Sequence, residues 1–199
     1  MGRRSDHSRA ELEALILDAG HALMAEVGFA RFSAREVAKR IGYSIGTLYN
    51  VFGSYDRLVL AINTRTFVAW AEHLRAQLAV AGEDRIAALV AGYFAFAEAH
   101  PHLWMAIYDH RLPPGMEVPP EDAATRAVLT GIVADEIARA LDRERQEVAA
   151  LTRSLVATVH GHCHFALTGA FALMGEPDAQ GAALTRVREA LSAAAPAGG

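Results

Sequence analysis

Residues 41–54 read IGYSIGTLYNVFGS. Three glycines in fourteen positions are too many for one long helix, yet Ile45, Leu48 and Val51 are spaced too regularly for a loop. Gly42 supplies a tight turn, Ser44 is an N-cap candidate, and residues 45 to about 51 make a third, very short helix. So short a helix is unstable alone and must be held by its neighbours. With Ile45, Leu48 and Val51 turned inward, Ser44, Gly46, Thr47, Tyr49 and Asn50 face outward. A short helix locked against another, with a small polar exposed face, is the layout of a helix-turn-helix reader.

The flanking sequence fits. Ser8-Arg9-Ala10-Glu11 has capping-box spacing and opens a first helix. Leu12, Leu15, Ile16, Ala19, Leu23 and Val27 line its apolar face, and Gly28 stops it. Ser33-Ala34-Arg35-Glu36 repeats the box and opens a second helix, 34–40, with Val37, Ala38 and Ile41 inward and Gly42 at its end. Ser54 caps a fourth helix starting near Tyr55.

The run FSAREVAKRIGYSIGTLYNVFGSYDRLVLAI closely resembles the DNA-binding head of the tetracycline-repressor (TetR) family of bacterial regulators. The matched positions include Ser33, Val37, Ala38, Ile41, Gly42, Ser44, Gly46, Thr47, Leu48, Tyr49, Phe52, Ser54 and Leu58, and the motif covers about residues 9–65. The resemblance implies that Ser33, Thr47 and Tyr49 touch phosphates. Ser44, Ile45, Gly46 and Asn50 would approach base edges, and Phe52 would pack behind the reader. The DNA-facing set is completed by Arg35 and Tyr55. The sequence departs from the family where lysine is common, at Ile45, Gly53 and Tyr55, and at Val51, where an aromatic is common. Arg3, Arg4 and Arg9 in the N-terminal arm, with Arg35, Lys39 and Arg40, are the cations left to compensate, so the salt dependence of DNA binding is expected to be shallow.

Charge is consistent with such a head. The 199 residues carry a formal charge of −4. Residues 1–65 hold nine Lys/Arg and seven Asp/Glu, whereas residues 66–199 hold ten and sixteen. A mildly basic head on an acidic body suits a polyanionic partner. Composition favours helix throughout, no alternating β-pattern occurs, and an all-α protein is expected. No apolar run reaches the roughly 18 residues of a membrane span. The charged N-terminus has no signal-peptide core. The single Cys163 builds no disulfide framework. A cytoplasmic protein without membrane association is expected.

Three parts are anticipated: a reading head over 1–54, a connecting helix over 55–80, and a regulatory and dimerisation part over 81–195. Within the last, helices are expected over 83–100, from Pro101, and at about 121–141, 144–174 and 178–194. LPPGMEVPP forms a loop, and the closing AAAPAGG frays. EAHPHLWMAIYDHRLP and VATVHGHCHFALTG resemble the regulatory domain of TetR proteins with a His-Gly pair in the penultimate long helix. The resemblance implies a four-helix dimer interface, with Ala157, Gly161, Leu167 and Phe171 as contributors. A homodimer would read a pseudo-palindromic double-stranded operator.

Aromatic and histidine side chains crowd the body. Trp70, Phe94, Trp104, Tyr108, His160 and His164 are the candidate lining of an apolar pocket for a small-molecule effector. His160 and His164 stand at i, i+4, the spacing of two metal ligands on a helix, so a zinc or nickel sensor is the alternative. No flanking carboxylate or second cysteine completes the set, and no metal site is assigned. Cys163 reads as a small buried hydrophobe. No nucleophile–base pair, phosphate loop or cofactor fingerprint occurs, so no catalytic residue and no cofactor are assigned. The expectation is a ligand-responsive repressor.

Overall fold

The computed structural model describes residues 7–195. Arg3 and Arg4 of the expected N-terminal arm, and residues 196–199 of the expected frayed end, lie outside the described residues. The described chain is all-helical: α1 Arg9–Val27, α2 Ala34–Ile41, α3 Ile45–Phe52, α4 Tyr55–Val80, α5 Arg85–Ala99, α6 Pro101–Asp109, α7 Pro120–Leu141, α8 Ala149–Leu167, α9 Ala170–Met174 and α10 Ala179–Ala194. A single 3-10 turn at Phe29–Arg31 follows α1.

Local chemistry sets the helix ends. Ser8 and Glu11 form a reciprocal capping box at α1. At α2 Ser33 accepts from the Glu36 amide, but the Glu36 carboxylate faces Lys39 at 3.8 Å and Arg40 at 3.6 Å, so the second expected box is half formed. Ser44 caps α3, Ser54 caps α4 through the Arg57 amide, and Asp84 and Asp178 cap α5 and α10. Each cap contributes about 1 kcal/mol. Gly42 adopts φ 75°, ψ 26°, the left-handed turn expected between α2 and α3.

One expected element is divided. The helix anticipated over 144–174 starts only at Ala149 and breaks at Gly169, where φ is 77°. The Thr168 hydroxyl donates back to the His164 carbonyl at 2.8 Å. A local side-chain bond of this kind competes with helix continuation. The left-handed Gly169 then redirects the chain.

The chain forms two compact units. Unit one is the chain up to Phe67 together with His100–Thr125; unit two is Val68–Ala99 together with the chain from Arg126 on. The first division falls inside α4, and α6, expected in the regulatory part, packs in unit one.

In unit one, Ile16, Met24, Val37, Leu48, Leu58 and Ile62 are fully buried. Gly20 lets α1 close on α4, since a Cβ there would stand 2.7 Å from Ile62 Cδ1. Three polar contacts seat α6 on this core. Asn63 Nδ2 donates to the Ala106 carbonyl at 3.1 Å, His102 Nδ1 to the Ala25 carbonyl at 2.8 Å, and His110 Nε2 to Asp56 Oδ1 at 3.1 Å.

In unit two, α8 packs on α10, and α5 lies against both. Trp70, Phe96, Leu155, Cys163 and Ala183 belong to its core. Burial pushes the Cys163 thiol up to about 12, with Glu98 adding to the effect, so it is an inert packing group. No helix among the described residues is long and apolar enough to cross a membrane.

Candidate nucleic-acid interface

The exposed side of α3 is built from its inward side. Leu48 is completely buried, and Ile45, Tyr49, Val51 and Phe52 pack half-buried against the same core. An eight-residue helix held in this way turns its remaining positions outward. Ser44, Gly46 and Asn50 are exposed, and Thr47 is half-buried. The space around Gly46 is open: a Cβ there would meet only Ser44 Oγ, at 3.6 Å, an ordinary contact.

Several expected contact residues also have local work. Ser44 Oγ accepts from the Thr47 amide at 3.2 Å and lies 3.0 Å from Thr47 Oγ1. Ser33 is the α2 cap. Each hydroxyl keeps further hydrogen-bonding capacity for another partner. Tyr49 is half-buried. Tyr55 packs its ring on Phe32, with centroids 6.1 Å apart, and burial pushes its hydroxyl above the usual tyrosine value.

The cations divide into two groups. Arg40 binds both oxygens of Glu26, at 2.8 and 2.7 Å, and this pairing holds the Glu26 carboxyl below the usual range. Arg9 Nη2 donates to the Val51 carbonyl at 3.4 Å, a cation at the C-terminal turn of α3. These two arginines position elements of the head. Arg35, exposed at the start of α2, has no ion pair or hydrogen bond among the described residues, and Lys39 is 79% exposed with only a 3.8 Å approach to Glu36. Arg35 and Lys39 are thus the open cations on α2, whose N-terminal amides add the positive end of a helix dipole.

The six expected effector residues do not fall in one unit. Trp104, fully buried, and Tyr108, 43% exposed, belong to unit one, their rings 5.3 Å apart. Trp70, Phe94, His160 and His164 belong to unit two. There Tyr93 links two of them: its ring meets Trp70 edge-on at 4.7 Å, and its hydroxyl lies 3.1 Å from His160 Nδ1. Phe96 stacks on Trp70 at 5.1 Å, and His73 tilts over Phe96 at 5.7 Å. Phe94 is buried. His160 and His164 stand 5.9 Å apart between ring centroids. Burial, then the neighbouring His164, holds His160 below the usual histidine value. Tyr93, Phe96 and His73 join this cluster without being among the six expected residues; for His73 the available signal was its i, i+3 spacing from Trp70. Among the described residues, no group of three or more His, Cys, Asp or Glu is placed to hold a metal ion.

Comparison with known proteins agrees with this geometry. Residues 16–62 match the family model described as bacterial regulatory proteins, tetR family, and residues 86–190, more than half the chain, match that of the tetracyclin repressor-like C-terminal domain. Curated proteins give no match. Among solved structures, a TetR-family transcriptional regulator from Streptomyces coelicolor is 20% identical with a TM-score of 0.64, covering 94% of this chain and 99% of that one. A TetR transcriptional regulator from Rhodococcus sp. RHA1 is 23% identical with a TM-score of 0.64, over 91% and 93%. The multidrug binding protein EbrR, complexed with imidazole, is 21% identical with a TM-score of 0.63, over 98% of each chain. Both parts of the chain, the helix-turn-helix head and the helical body, therefore place it in the TetR family of DNA-binding transcriptional regulators, which are not enzymes.

Proposed function

We propose that this protein is a ligand-responsive transcriptional repressor, binding a palindromic operator as a homodimer and released by a small organic effector. The observation that carries the reading is α3: a short helix fixed by Leu48, with Gly46 and Asn50 exposed and nothing crowding Gly46. We assign operator reading to residues 1–54, with Ser33, Arg35, Ser44, Ile45, Gly46, Thr47, Tyr49, Asn50 and Tyr55 as the DNA-facing set. Residues 55–80 connect, and 81–195 regulate and dimerise in the cytoplasm. The His160-Gly161 pair of α8 supports placement with the His-Gly-containing subclass.

Exposed apolar side chains support the dimer. Phe165 on α8 is 42% exposed, and Leu173 and Met174 on α9 are 92% and 68% exposed. Phe171 packs its ring 5.4 Å from Phe165, and the space around Gly161 is open. Two heads about 34 Å apart would read half-sites one DNA turn apart.

Unit two supports the effector. Trp70 Nε1 and His73 Nε2, one helical turn apart on α4, are buried without a hydrogen-bond partner. A buried donor left unpaired costs about 1–3 kcal/mol, which a ligand acceptor would recover. The relative captured with imidazole is a precedent on this fold for a small organic ligand. An effector acts only through differential affinity for the operator-bound and released arrangements.

The test is selection of the purified dimer on a random DNA library at two salt concentrations, followed by sequencing. Enrichment of one inverted repeat is expected. Equal recovery of all sequences, or no binding, sinks the repressor reading.

A further inference from the structure

Unit two holds a concavity of about 500 Å³ that none of the residues assigned above lines. Its size is that of a small-ligand site. Arg75 and Leu78 of α4, Arg85 of α5, and Ile132, Glu136 and Arg139 of α7 wall it. On α5, Arg85 precedes Tyr93 by eight residues, about 12 Å along the helix, so the concavity is distinct from the Trp70–Tyr93–His160 cluster.

Its charges are unevenly matched. The Glu136 side chain is 6% exposed. Its oxygens accept from Arg85 Nε at 2.7 Å, Arg85 Nη2 at 2.8 Å and Arg139 Nη1 at 2.7 Å. The third donor group of Arg85, Nη1, goes to the Leu78 carbonyl at 3.0 Å. At the rim, Asp135 is held by Arg145, with Nε at 2.8 Å. Both carboxylates are therefore neutralised without Arg75. Arg75 has no ion pair or hydrogen bond among the described residues, and Arg139 commits one terminal nitrogen to Glu136. Three guanidinium groups, Arg75, Arg85 and Arg139, line the concavity with two carboxylates, of which Asp135 is already held by Arg145 from outside the lining, in a unit whose sequence holds nine arginines and twelve Asp/Glu. A local positive excess in an acidic unit, within a concavity, focuses potential on a small anion. Guanidinium forks match carboxylate and phosphate oxygens. Leu78 and Ile132 offer apolar contact to the rest of such a molecule.

We infer that this concavity binds a small organic anion, whose carboxylate or phosphate oxygens take the open donors of Arg75 and Arg139. Arg85 and Glu136 form the fixed frame beneath it. The site does not depend on operator binding or on the aromatic cluster.

Calorimetric titration of the full chain with inorganic phosphate and with succinate tests this. Ionic strength is held constant, and sodium chloride and neutral succinamide serve as controls. Saturable binding of at least one anion, one per chain, is expected, weakened at least tenfold in Arg75→Gln and in Arg139→Gln. Both side chains are exposed, and unchanged circular dichroism verifies each variant's fold. Saturation by phosphate alone assigns a phosphate ester; saturation by succinate alone assigns a carboxylate. Arg153→Gln, an exposed arginine outside the lining, should leave binding unchanged. No saturable heat with either anion, full affinity in both test variants, or equal weakening by Arg153→Gln overturns the inference.

Discussion

The Tyr93 hydroxyl lies 3.1 Å from His160 Nδ1, joining α5 to α8 inside unit two. Burial holds His160 below its ordinary value of 6.5, and His164 adds to the effect. His21 in unit one is lowered too, by burial first and Arg65 next. For a histidine lowered on folding, the unfolded chain takes up the proton first. Stability is therefore complete above about 6.5 and falls as pH drops from there through the folded value. Melting temperature should decline between pH 7.5 and 5.5, and His160→Asn should remove part of the decline while His21 retains the rest. A melting temperature that stays flat, or an undiminished decline in His160→Asn, contradicts this assignment.

Gly46 allows the proposed reading role to be tested apart from folding. A methyl group there meets only Ser44 Oγ at 3.6 Å. Gly46→Ala should keep or raise stability, by up to about 1 kcal/mol of helix propensity. On the proposed reading the same methyl would stand between the α3 backbone and DNA, so operator affinity should fall at least tenfold. Leu48→Ala is the complementary variant: it opens a cavity in the head core and should cost about 2–5 kcal/mol. Binding by gel shift, beside thermal melts of the same preparations, checks both. Unchanged affinity in Gly46→Ala would remove Gly46 from the interface.

The head was legible because its signals are local. Ser44, Gly42 and the Ile45–Leu48–Val51 spacing each act within one helical turn, and the helices stand where those residues place them. Legibility ended where partners are distant in sequence. Arg40 looked like a free cation, but Glu26, fourteen residues earlier, takes both of its terminal nitrogens. Trp104 and Tyr108 shared an aromatic character with Trp70, yet α6 packs in unit one through Asn63, Ala25 and Asp56. Composition alone cannot sort aromatic residues between two cores. The break at Gly169 was missed because a glycine inside an apolar helical pattern is often tolerated.

The division among cations predicts a salt response. Each phosphate contact adds roughly 0.9 to the slope of log affinity against log salt. Arg35→Gln removes an open cation, so the slope should become shallower by about one. Arg40→Gln removes a residue bound to Glu26, so it should lower melting temperature while leaving the slope nearly unchanged. Operator binding measured across a salt series distinguishes the two. Equal slope changes in both variants would mean that Arg40 leaves Glu26 to meet DNA.

Arg85 and Glu136 tie α5 to α7 through two short hydrogen bonds, and the carboxylate is nearly buried. Arg85, more than the flanking Arg139, holds the Glu136 carboxyl below the usual glutamate range. Arg85→Met leaves that carboxylate with Arg139 alone and should lower stability, because the nearly buried charge loses its principal partner. Because the folded value is depressed, the stabilisation from the pair is present above about 4.5 and is lost as pH falls below it. The double variant Arg85→Met/Glu136→Leu replaces both charges with apolar groups, which is often close to neutral. Urea unfolding at pH 7 should therefore place the double variant nearer the wild type than Arg85→Met. If the double variant is as unstable as the single, the loss comes from the packing of the arginine stem and its bond to the Leu78 carbonyl, not from an uncompensated charge.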